Sequence, residues 1–428
     1  MRIFAEHLPV SAETNGDLVN SITLKNLKTD EKLIVSAKYF VDATELGEVL
    51  PLTKTEFVTG SESKHETGEP SAKENADPHN SQAFSMCFAM SYDENIDNTI
   101  EKPENYEFWR DFIPDLNPSW SGKLLSLTGL NPRTLEPVDY NFAPNNEENK
   151  AFAGLWSYRR ILHKENFREG AYSSDITLVN YPQIDYVLGD LANAVGSGQR
   201  TTDNGQSDES KIKNLKSKIQ MIAEAKQQSL SFLYYLQTEK GFRGLKLRPD
   251  VVGSQDGLAK MPYIRESRRI KAEFTILEQH VSAHLRPNQK LAEKFADSVG
   301  VGFYRIDLHP TIGGDNYVDV ESLPFQIPLG ALIPRRMENL LPACKNIGTT
   351  HITNGCYRLH PIEWNIGESV GNLLAFCLAK KVRPREVYKD KKLLKDYQSL
   401  LVKNGFELDW REDLNLADGD PHRHAMRK

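Results

Sequence analysis

The chain has 428 residues, of which 39% are hydrophobic and 26% charged, a composition typical of globular proteins. Its formal net charge of −6 gives no basic excess to neutralise phosphates, so nucleic acid is not expected as a partner. Four cysteines without a C-x-x-C pair do not make a disulfide framework, which favours a cytoplasmic location. The sequence has neither an 18-residue apolar run nor a signal-peptide pattern, so no membrane association is expected.

The first 90 residues are predicted to form strands and turns. Residues 18–27 and 32–42 are rich in β-formers on either side of a turn, which predicts a β-hairpin. The second strand ends in D-A-T-E-L-G at 42–47, where small residues allow a ligand to approach the backbone. An ordinary β-turn is the alternative interpretation. Residues 59–80 predict a polar loop, and residues 83–90 predict a strand.

The middle of the chain contains an aromatic and proline-rich region, a break and two predicted helices. The aromatic side chains at 103–182 could stack on sugars, although core packing is more typical of them. A flexible break is predicted at 195–209 and a helix at about 210–240. The apolar face predicted for that helix consists of Ile212, Leu215, Ile219, Ile222, Leu230 and Leu233. A second helix is predicted at about 262–284, where R-E-S-R-R (265–269) is either a solvated charged face, an anion anchor or a link between lobes.

The last third is predicted to return to strands and then to end in helices. Residues 317–333 are strand-like, helices are predicted at 361–381 and about 389–403, and residues 411–428 are expected to be frayed.

The segment 344–371 is the most informative stretch for function. It is predicted to be a loop of glycines, hydroxyls, histidines and an arginine, followed by a helix that begins at Pro361. Such a helix start presents free N–H groups and a positive dipole end to an anionic ligand group. Gly367 and Gly371 leave a flat helix face for a ring system, or for tight packing without a ligand.

No metal site is expected in this segment. His351, Cys356, His360 and Glu363 do not follow a standard zinc spacing. His360 precedes a proline, which predicts an extended residue that does not share a helical face with Glu363.

Four ordered stretches resemble one family, the glutathione-reductase-like FAD-dependent oxidoreductases, whose bacterial members are sometimes labelled xanthan lyase. The stretches are FVDATELGEVLPL (40–52), FVTGSESKHETGEP (57–70), PYIRESRRIKAEFTILEQHV (262–281) and NIGTTHITNGCYRLHPIEWNIGESVG (346–371). The resemblance implies an α/β fold with a doubly wound FAD-binding lobe, an inserted and largely β substrate lobe, and long helices. It assigns 1–60 and 321–380 to the FAD lobe, 61–320 to the substrate lobe, and 381–428 to a C-terminal helix and tail.

The same resemblance implies FAD as cofactor and transfer of a hydride or two electrons from a small organic substrate. His351 and His360 become candidates for the substrate side of the flavin. The candidate cofactor contacts that it implies are Ala43, Thr44, Gly348, Thr349, Arg358, Asn365, Ile366 and Gly367.

The sequence departs from the family pattern because no G-x-G-x-x-G fingerprint occurs in it. The chain therefore looks like a flavoprotein that lacks its N-terminal βαβ unit, and weak or no FAD binding is expected from it alone. A separate N-terminal FAD-binding segment is a candidate partner. Two alternatives are a non-catalytic flavoprotein-like remnant or partner subunit, and a carbohydrate-active enzyme, although no acid–base pair stands out for the latter.

Overall fold

The computed structural model describes residues 1–145, 154–193, 195–196 and 208–411. The chain divides into two compact units. Unit 1 comprises residues 1–76, 266–306 and 320–428, and unit 2 comprises residues 77–265 and 307–319. Each unit combines helices with strands, which confirms the predicted mixed α/β class. The assignment of 61–320 to a substrate lobe concerns function and stays a prediction, and unit 2 covers a narrower range.

Most strands outside the N-terminal sheet are short. They are β1 His7–Asn15, β2 Leu18–Asn26, β3 Lys32–Ser36, β4 Phe40–Asp42, β5 Phe57–Val58, β6 Phe84–Ser85, β7 Phe88–Tyr92, β8 Thr128–Leu130, β9 Pro137–Asp139, β10 Arg160–Leu162, β11 Ile176–Val179, β12 Asp185–Tyr186, β13 Gly189–Asp190, β14 Val195–Gly196, β15 Leu245–Leu247, β16 Arg269–Ile270, β17 Ser298–Gly302, β18 Ile306–Leu308, β19 Val318–Val320, β20 Phe325–Pro328 and β21 Leu340–Pro342.

Helices longer than three turns occur in the second half of the described chain. The helices are α1 Val49–Leu52, α2 Lys64–Thr67, α3 Tyr106–Asp111, α4 Leu155–Tyr158, α5 Asp208–Thr238, α6 Pro249–Val252, α7 Glu278–Val281, α8 His351–Tyr357, α9 His360–Lys380, α10 Pro384–Lys389 and α11 Lys391–Lys403. Three 3-10 turns are Lys164–Asn166, Pro182–Ile184 and Leu329–Leu332.

The N-terminal sheet of unit 1 has the antiparallel order β1–β2–β3. Its β2–β3 pair confirms the predicted hairpin, and Asp30 in the turn takes a left-handed backbone with φ of 62°. The strand predicted at 32–42 is interrupted after Ser36 and continues as β4 in a different sheet. Strand β1 was not predicted, because Pro9 and several polar residues interrupt the run of β-forming residues that usually indicates a strand.

The parallel pair β4–β21 organises the part of unit 1 that matters for function. Phe40, Val41 and Asp42 pair with Leu340, Leu341 and Pro342 in register. A core that includes Val19, Leu50, Ile270 and Met337 packs around Phe40 and Leu340. Since both strands run in the same direction, the residues that follow Asp42 and Pro342 meet at one edge of the sheet.

Unit 2 contains the antiparallel sheet β10–β11–β7–β15 and the long helix α5. The predicted helix at 210–240 is confirmed, but its buried face is turned relative to the prediction. Leu233 of the predicted face is fully buried, but Ile219 is 60% exposed, and the side chains of Ile212 and Leu215 lie outside the described residues. Gln228 and Ser229 are fully buried instead. These two side chains donate hydrogen bonds to carbonyl groups outside the helix, including that of Met86, which explains polar residues on the buried face.

The prediction of a helix at 262–284 is wrong. Residues Arg269–Ile270 form β16, which pairs with β5, and only Glu278–Val281 is helical. The backbones of Ala272 and Ile276 form bridges to Pro334 and Thr349. The apolar spacing in this segment therefore reflects burial of an extended chain between other segments.

The remaining helix and strand predictions agree with the structure to different degrees. The helix predicted at 361–381 is α9, and the helix predicted at 389–403 is α11 with the short α10 before it. The run at 83–90 contains β6 and β7, and residues 317–333 contain β19, β20 and a 3-10 turn. The loop predicted before Pro361 is corrected, because it contains the capped helix α8.

Several predictions concern the aromatic region and the chain termini. Trp109, Trp120 and Trp156 are each at most 7% exposed, which agrees with a core role. Most of the predicted break at 195–209 and of the frayed tail at 411–428 lies outside the described residues. Among the described helices, none is long and apolar enough to cross a membrane.

Candidate functional site

The candidate site begins at the edge where β4 and β21 end. The carbonyl oxygen of Asp42 accepts hydrogen bonds from the N–H of Ala343 (2.9 Å) and the side-chain amide of Asn346 (3.0 Å). Asn346 is fully buried, and its own carbonyl accepts the N–H of Ile270. The two predicted motifs, D-A-T and C-K-N-I-G-T-T, are therefore held together by backbone and amide hydrogen bonds.

The D-A-T turn is fixed by the side chains of Asp42 and Thr44. Asp42 Oδ1 accepts the Thr44 hydroxyl at 2.7 Å and the Thr44 N–H at 3.0 Å, and Thr44 Oγ1 accepts the N–H of Glu48. Ala43 is exposed and Thr44 is half-buried, so both are open to a ligand at the edge. Asp42 is fully buried, which raises the pKa of its carboxyl group, and its Oδ2 has no hydrogen-bond partner.

A buried lysine, which sequence reasoning missed, lies at the same edge. Lys345 Nζ contacts Glu45 at 2.7 Å and Glu363 at 3.2 Å, and its side chain is 3% exposed. Burial disfavours its charged form, but the carboxylate of Glu363 and other nearby groups raise its pKa. Burial also raises the pKa of Cys344 to about 11, so this neighbouring thiol stays protonated.

Helix α9 begins beside this lysine. Glu363 lies in its first turn, and the ion pair with Lys345 therefore ties the helix start to the end of β21. Position 367 faces the same segment, because a Cβ placed on Gly367 would lie 3.4 Å from the Ala343 carbonyl. His360 is exposed and is the first residue of α9, so the prediction of an extended residue is corrected: Pro361 is tolerated at the second helical position.

Gly348 and Thr349 lie deeper in unit 1. A Cβ on Gly348 would come within 2.5 Å of the Ala272 Cβ and 2.6 Å of the Phe274 carbonyl, so the glycine is required by packing. Its N–H and carbonyl are both paired, with Ala331 and Ile276. Thr349 is 2% exposed, and its hydroxyl has no hydrogen-bond partner.

The other predicted cofactor contacts do not all face the β4–β21 edge. Asn365 donates to the Val301 carbonyl at 3.2 Å, and its oxygen occupies the space that a Cβ on Gly300 would need. Ile366 is fully buried. Arg358 is 5% exposed and ends α8. The structure thus brings Ala43, Thr44 and Gly367 towards one edge, whereas Asn365 packs against β17.

A buried ionic cluster surrounds His351. Arg269 is fully buried and contacts Glu266, with Glu62 Oε1 at 3.0 Å and the Thr349 carbonyl at 3.1 Å. The solvated interpretation of the R-E-S-R-R segment is therefore wrong for Arg269. His351 Nδ1 lies 3.0 Å from both carboxylate oxygens of Glu266. Burial lowers the pKa of His351, but the charge and hydrogen bond of Glu266 outweigh it and raise the pKa.

A second buried carboxyl group lies next to α8. Glu69 Oε1 accepts the Thr350 hydroxyl at 2.7 Å and the N–H of Glu278 at 2.8 Å. Glu69 is fully buried, its Oε2 has no partner, and burial raises its pKa to about 7. Nothing in the local sequence marks Glu69, because its partners lie more than 200 positions away.

A family model described as FAD dependent oxidoreductase matches residues 1–401. The chain belongs to this family. No curated protein and no solved structure gives a significant match. Membership in the FAD dependent oxidoreductase family supports a flavin-dependent oxidoreductase activity in general and FAD as the cofactor.

The described residues contain no group of three histidine, cysteine or acidic side chains suited to a metal ion. Three buried residues of unit 1 extend the set of candidate site residues: Asp42, Glu69 and Lys345. Their burial distinguishes them, and burial cannot be read from the sequence pattern alone.

Proposed function

We propose that the chain is a flavin-dependent oxidoreductase whose unit 1 binds FAD along the carboxyl edge of β4 and β21. The observation that carries the proposal is the parallel pairing of the two family motifs, which joins D-A-T to C-K-N-I-G-T-T. Ligands of α/β folds characteristically lie at such edges.

Residues at this edge and deeper in unit 1 fit a polar cofactor. Asp42 Oδ2 and Thr349 Oγ1 are buried oxygens without hydrogen-bond partners, and an orphaned buried oxygen is costly unless a ligand or water satisfies it. We assign the cofactor contacts to Ala43, Thr44, Thr349, Arg358 and Gly367. Gly348 would contribute by allowing the close packing that places Thr349.

The two remaining predicted contacts, Asn365 and Ile366, would act indirectly. Asn365 binds the backbone of β17 and Ile366 fills the core, so both fix the position of α9. We propose that they position the helix and do not touch the cofactor.

Bound FAD would supply a two-electron acceptor for an organic substrate. The residues of the chain would hold it and set the local charge. The 21-residue helix α9 places the positive end of its dipole at its first residue, His360, where it would stabilise negative charge. Lys345 is paired with Glu45 and with Glu363 of the first helical turn, so it would fix the position of this helix start.

The two histidines predicted on the substrate side differ in what they could do. Glu266 fixes Nδ1 of His351 and raises the pKa of its ring, which favours the protonated form, so His351 would have a positioning role. His360 is exposed and is the candidate for contact with a substrate or solvent. A separate N-terminal FAD-binding segment and a cytoplasmic location both stay predictions.

An FAD titration of the purified chain tests the proposal through flavin absorbance and fluorescence. We expect weak but saturable binding, since the sequence has no G-x-G-x-x-G turn for the pyrophosphate. Thr349→Val, which deletes the orphaned hydroxyl, should weaken binding by about 5- to 10-fold, equivalent to about 1 kcal/mol for one hydrogen bond.

Thr23→Val is the matched control, because Thr23 lies in the middle of β2 within the N-terminal hairpin. It should leave FAD affinity unchanged. Absence of saturable binding by the wild-type chain, or equal affinity in Thr349→Val, would count against the proposed site.

A further inference from the structure

Helix α9 of unit 1 presents one long apolar face to solvent. Trp364 is 71% exposed and Leu378 is 49% exposed, although the same helix buries Ile366 and Leu373 completely. Between the two exposed side chains lies Gly371, and a Cβ at this position would meet no atom within 4 Å. A continuous exposed apolar face of this kind typically marks an interaction surface.

The exposed residues of this face follow the alternating spacing of three and four positions that is found where two helices pack together. They are Pro361, Trp364, Glu368, Gly371, Ala375 and Leu378. Glu368 is the single charged residue among them, whereas the solvent side of a helix normally carries several charges. The opposite side of α9 already packs against β17, where the Ser369 hydroxyl donates to the Val299 carbonyl at 2.8 Å. The exposed spacing therefore fits a second helix.

The face is complementary to a second copy of itself that runs in the opposite direction. An antiparallel pair of α9 helices with its two-fold axis between residues 369 and 370 brings the exposed residues together in layers. Each layer combines a large side chain with a small or compact one: Trp364 with Ala375, Glu368 with Gly371, and Leu378 with Pro361. Large residues opposite small ones allow two helices to approach closely.

Charge also favours an antiparallel pair over a parallel one. A parallel pair would place Glu368 beside Glu368 of the second copy, and like charges at such a contact are unfavourable. The start of α9 has an acidic excess, because Glu45 and Glu363 share the one ammonium group of Lys345. The other end of the helix is basic, with lysines at 380–381. An antiparallel pair brings the basic end of each helix beside the acidic start of the other and aligns the two helix dipoles favourably.

We propose that the exposed face of α9 is the interface of a homodimer in which the α9 helices of two copies pack antiparallel. The same residues of both copies meet around a two-fold axis, as in the commonest class of protein dimers. The face from Pro361 to Leu378 is about 25 Å long, so the contact is small and a Kd in the micromolar range is expected. The inference goes beyond the proposed function and does not depend on FAD binding.

Trp364 provides a direct signal for this contact, because it is the most exposed of the five tryptophans of the chain. Sedimentation equilibrium of the full chain between about 1 and 100 μM should show the mass rising from 48.5 kDa towards twice that value. Quenching of tryptophan fluorescence by acrylamide should fall over the same range. A chain that stays monomeric at the highest concentration, with unchanged quenching, would overturn the proposal.

Leu378→Glu places a carboxylate within the interface of each copy and should raise the Kd by at least about 10-fold. Val402→Glu is the matched control, since Val402 is a 59% exposed residue of α11 in the same unit and lies outside the face. It makes the same charge change and should leave the Kd unchanged. Both side chains are exposed in the single chain, so neither substitution removes core packing. Equal effects of the two substitutions would contradict the assigned interface.

Cysteine crosslinking tests the direction of the two helices. Gly371 lies close to the proposed two-fold axis, so Gly371→Cys should form a covalent dimer in the presence of oxidised glutathione. Leu378→Cys should not, because an antiparallel pair separates the two copies of residue 378 by about 25 Å along the helix axis. The four native cysteines are buried, so the wild-type chain gives the background. Crosslinking of both variants would show a parallel pair, and crosslinking of neither would exclude the interface, so either result would overturn the proposal.

A lipid surface is the other occupant that an exposed tryptophan and nearby lysines could fit, and a vesicle experiment separates it from a second copy. The full chain is mixed, at a concentration where it is monomeric, with vesicles that contain phosphatidylserine. We expect no binding and no change in tryptophan emission. Binding with a blue shift that Leu378→Glu abolishes, in a chain that forms no dimer, would assign the face to a membrane and overturn the proposal.

Discussion

Glu69 combines complete burial with a carboxylate oxygen that has no partner. Its pKa is about 7 in the folded chain, compared with 4.5 for an exposed glutamate. Between these values the folded chain binds more protons than the unfolded chain, so ionisation of Glu69 reduces the free energy of unfolding as pH rises. The loss accumulates from pH 4.5 and is complete above pH 7.

Glu69→Gln removes this titration and keeps the acceptor for Thr350 and Glu278. From pH 4.5 to 8, the free energy of unfolding of Glu69→Gln relative to wild type should rise by about 3 kcal/mol. Urea unfolding at a series of pH values measures it. Glu74→Gln, at an exposed position, makes the same charge change and should show no such trend. A pH-independent difference for Glu69→Gln would contradict the predicted ionisation.

The side chain of Arg269 is fully buried, and its guanidinium forms ion pairs with Glu62 and Glu266. Arg269→Met keeps much of the side-chain volume but removes the guanidinium that pairs with Glu62 and Glu266, and leaves Glu266 only its contact with His351, so we expect the chain to lose about 3–5 kcal/mol of unfolding free energy. Arg336→Met is the control. Arg336 is 37% exposed and pairs with Asp17 at the surface, which predicts a loss below about 1 kcal/mol. Equal losses in the two variants, measured by denaturant unfolding, would contradict the buried-cluster argument.

The partners of Arg269 explain why residue-level prediction failed there. The spacing of R-E-S-R-R is that of an exposed helix face, and local sequence contains no further signal. Glu62, the partner that establishes burial, is 207 positions away in the chain.

At the scale of elements, two glycines of the segment 344–371 have opposite roles. A Cβ at Gly348 would meet the Ala272 Cβ and the Phe274 carbonyl, whereas Gly371 in α9 is exposed and has open space around it. Gly348→Ala should therefore destabilise the chain by about 1–3 kcal/mol through overpacking. Gly371→Ala should stabilise it by about 0.5–1 kcal/mol, because alanine favours the helix. Thermal unfolding measures both, and effects of the same sign would contradict this assignment.

Elements were predictable where their pattern is local. The β2–β3 hairpin has its turn and both strands in one short segment, and α9 has Pro361 at its start. The helix at 262–284 was mispredicted because Ala272 and Ile276 pair with distant segments of the chain. The spacing of the apolar residues in this extended segment resembles that of a helix face. Helix α8 was missed because its stability depends on the Thr350 cap and on complete burial, and its seven residues are too short for a clear period.

At the scale of the whole molecule, the family was predictable because its four motifs are ordered along nearly the whole chain. The location of the cofactor stays a proposal, and the structure supports only some of the predicted contacts. The parallel pairing of β4 with β21 gives D-A-T and C-K-N-I-G-T-T a common edge, but three of the predicted contacts serve packing: Gly348, Asn365 and Ile366. Sequence order cannot distinguish a residue that packs from a neighbour that faces a ligand.

Hydrogen exchange with and without FAD tests this location across both units at once. FAD at about 100 times its dissociation constant stabilises the binding-competent state by about 2.7 kcal/mol, which slows exchange through the local openings that release it. We expect slower exchange at residues 42–48, 343–350 and the first turn of α9. Amides of β11 in unit 2 that exchange by local opening should be unchanged, which provides the internal control. Because amides that exchange only by global unfolding report total stability, the comparison uses peptides that exchange within minutes. Protection confined to unit 2, with none at the β4–β21 edge, would place the cofactor elsewhere in this member of the family.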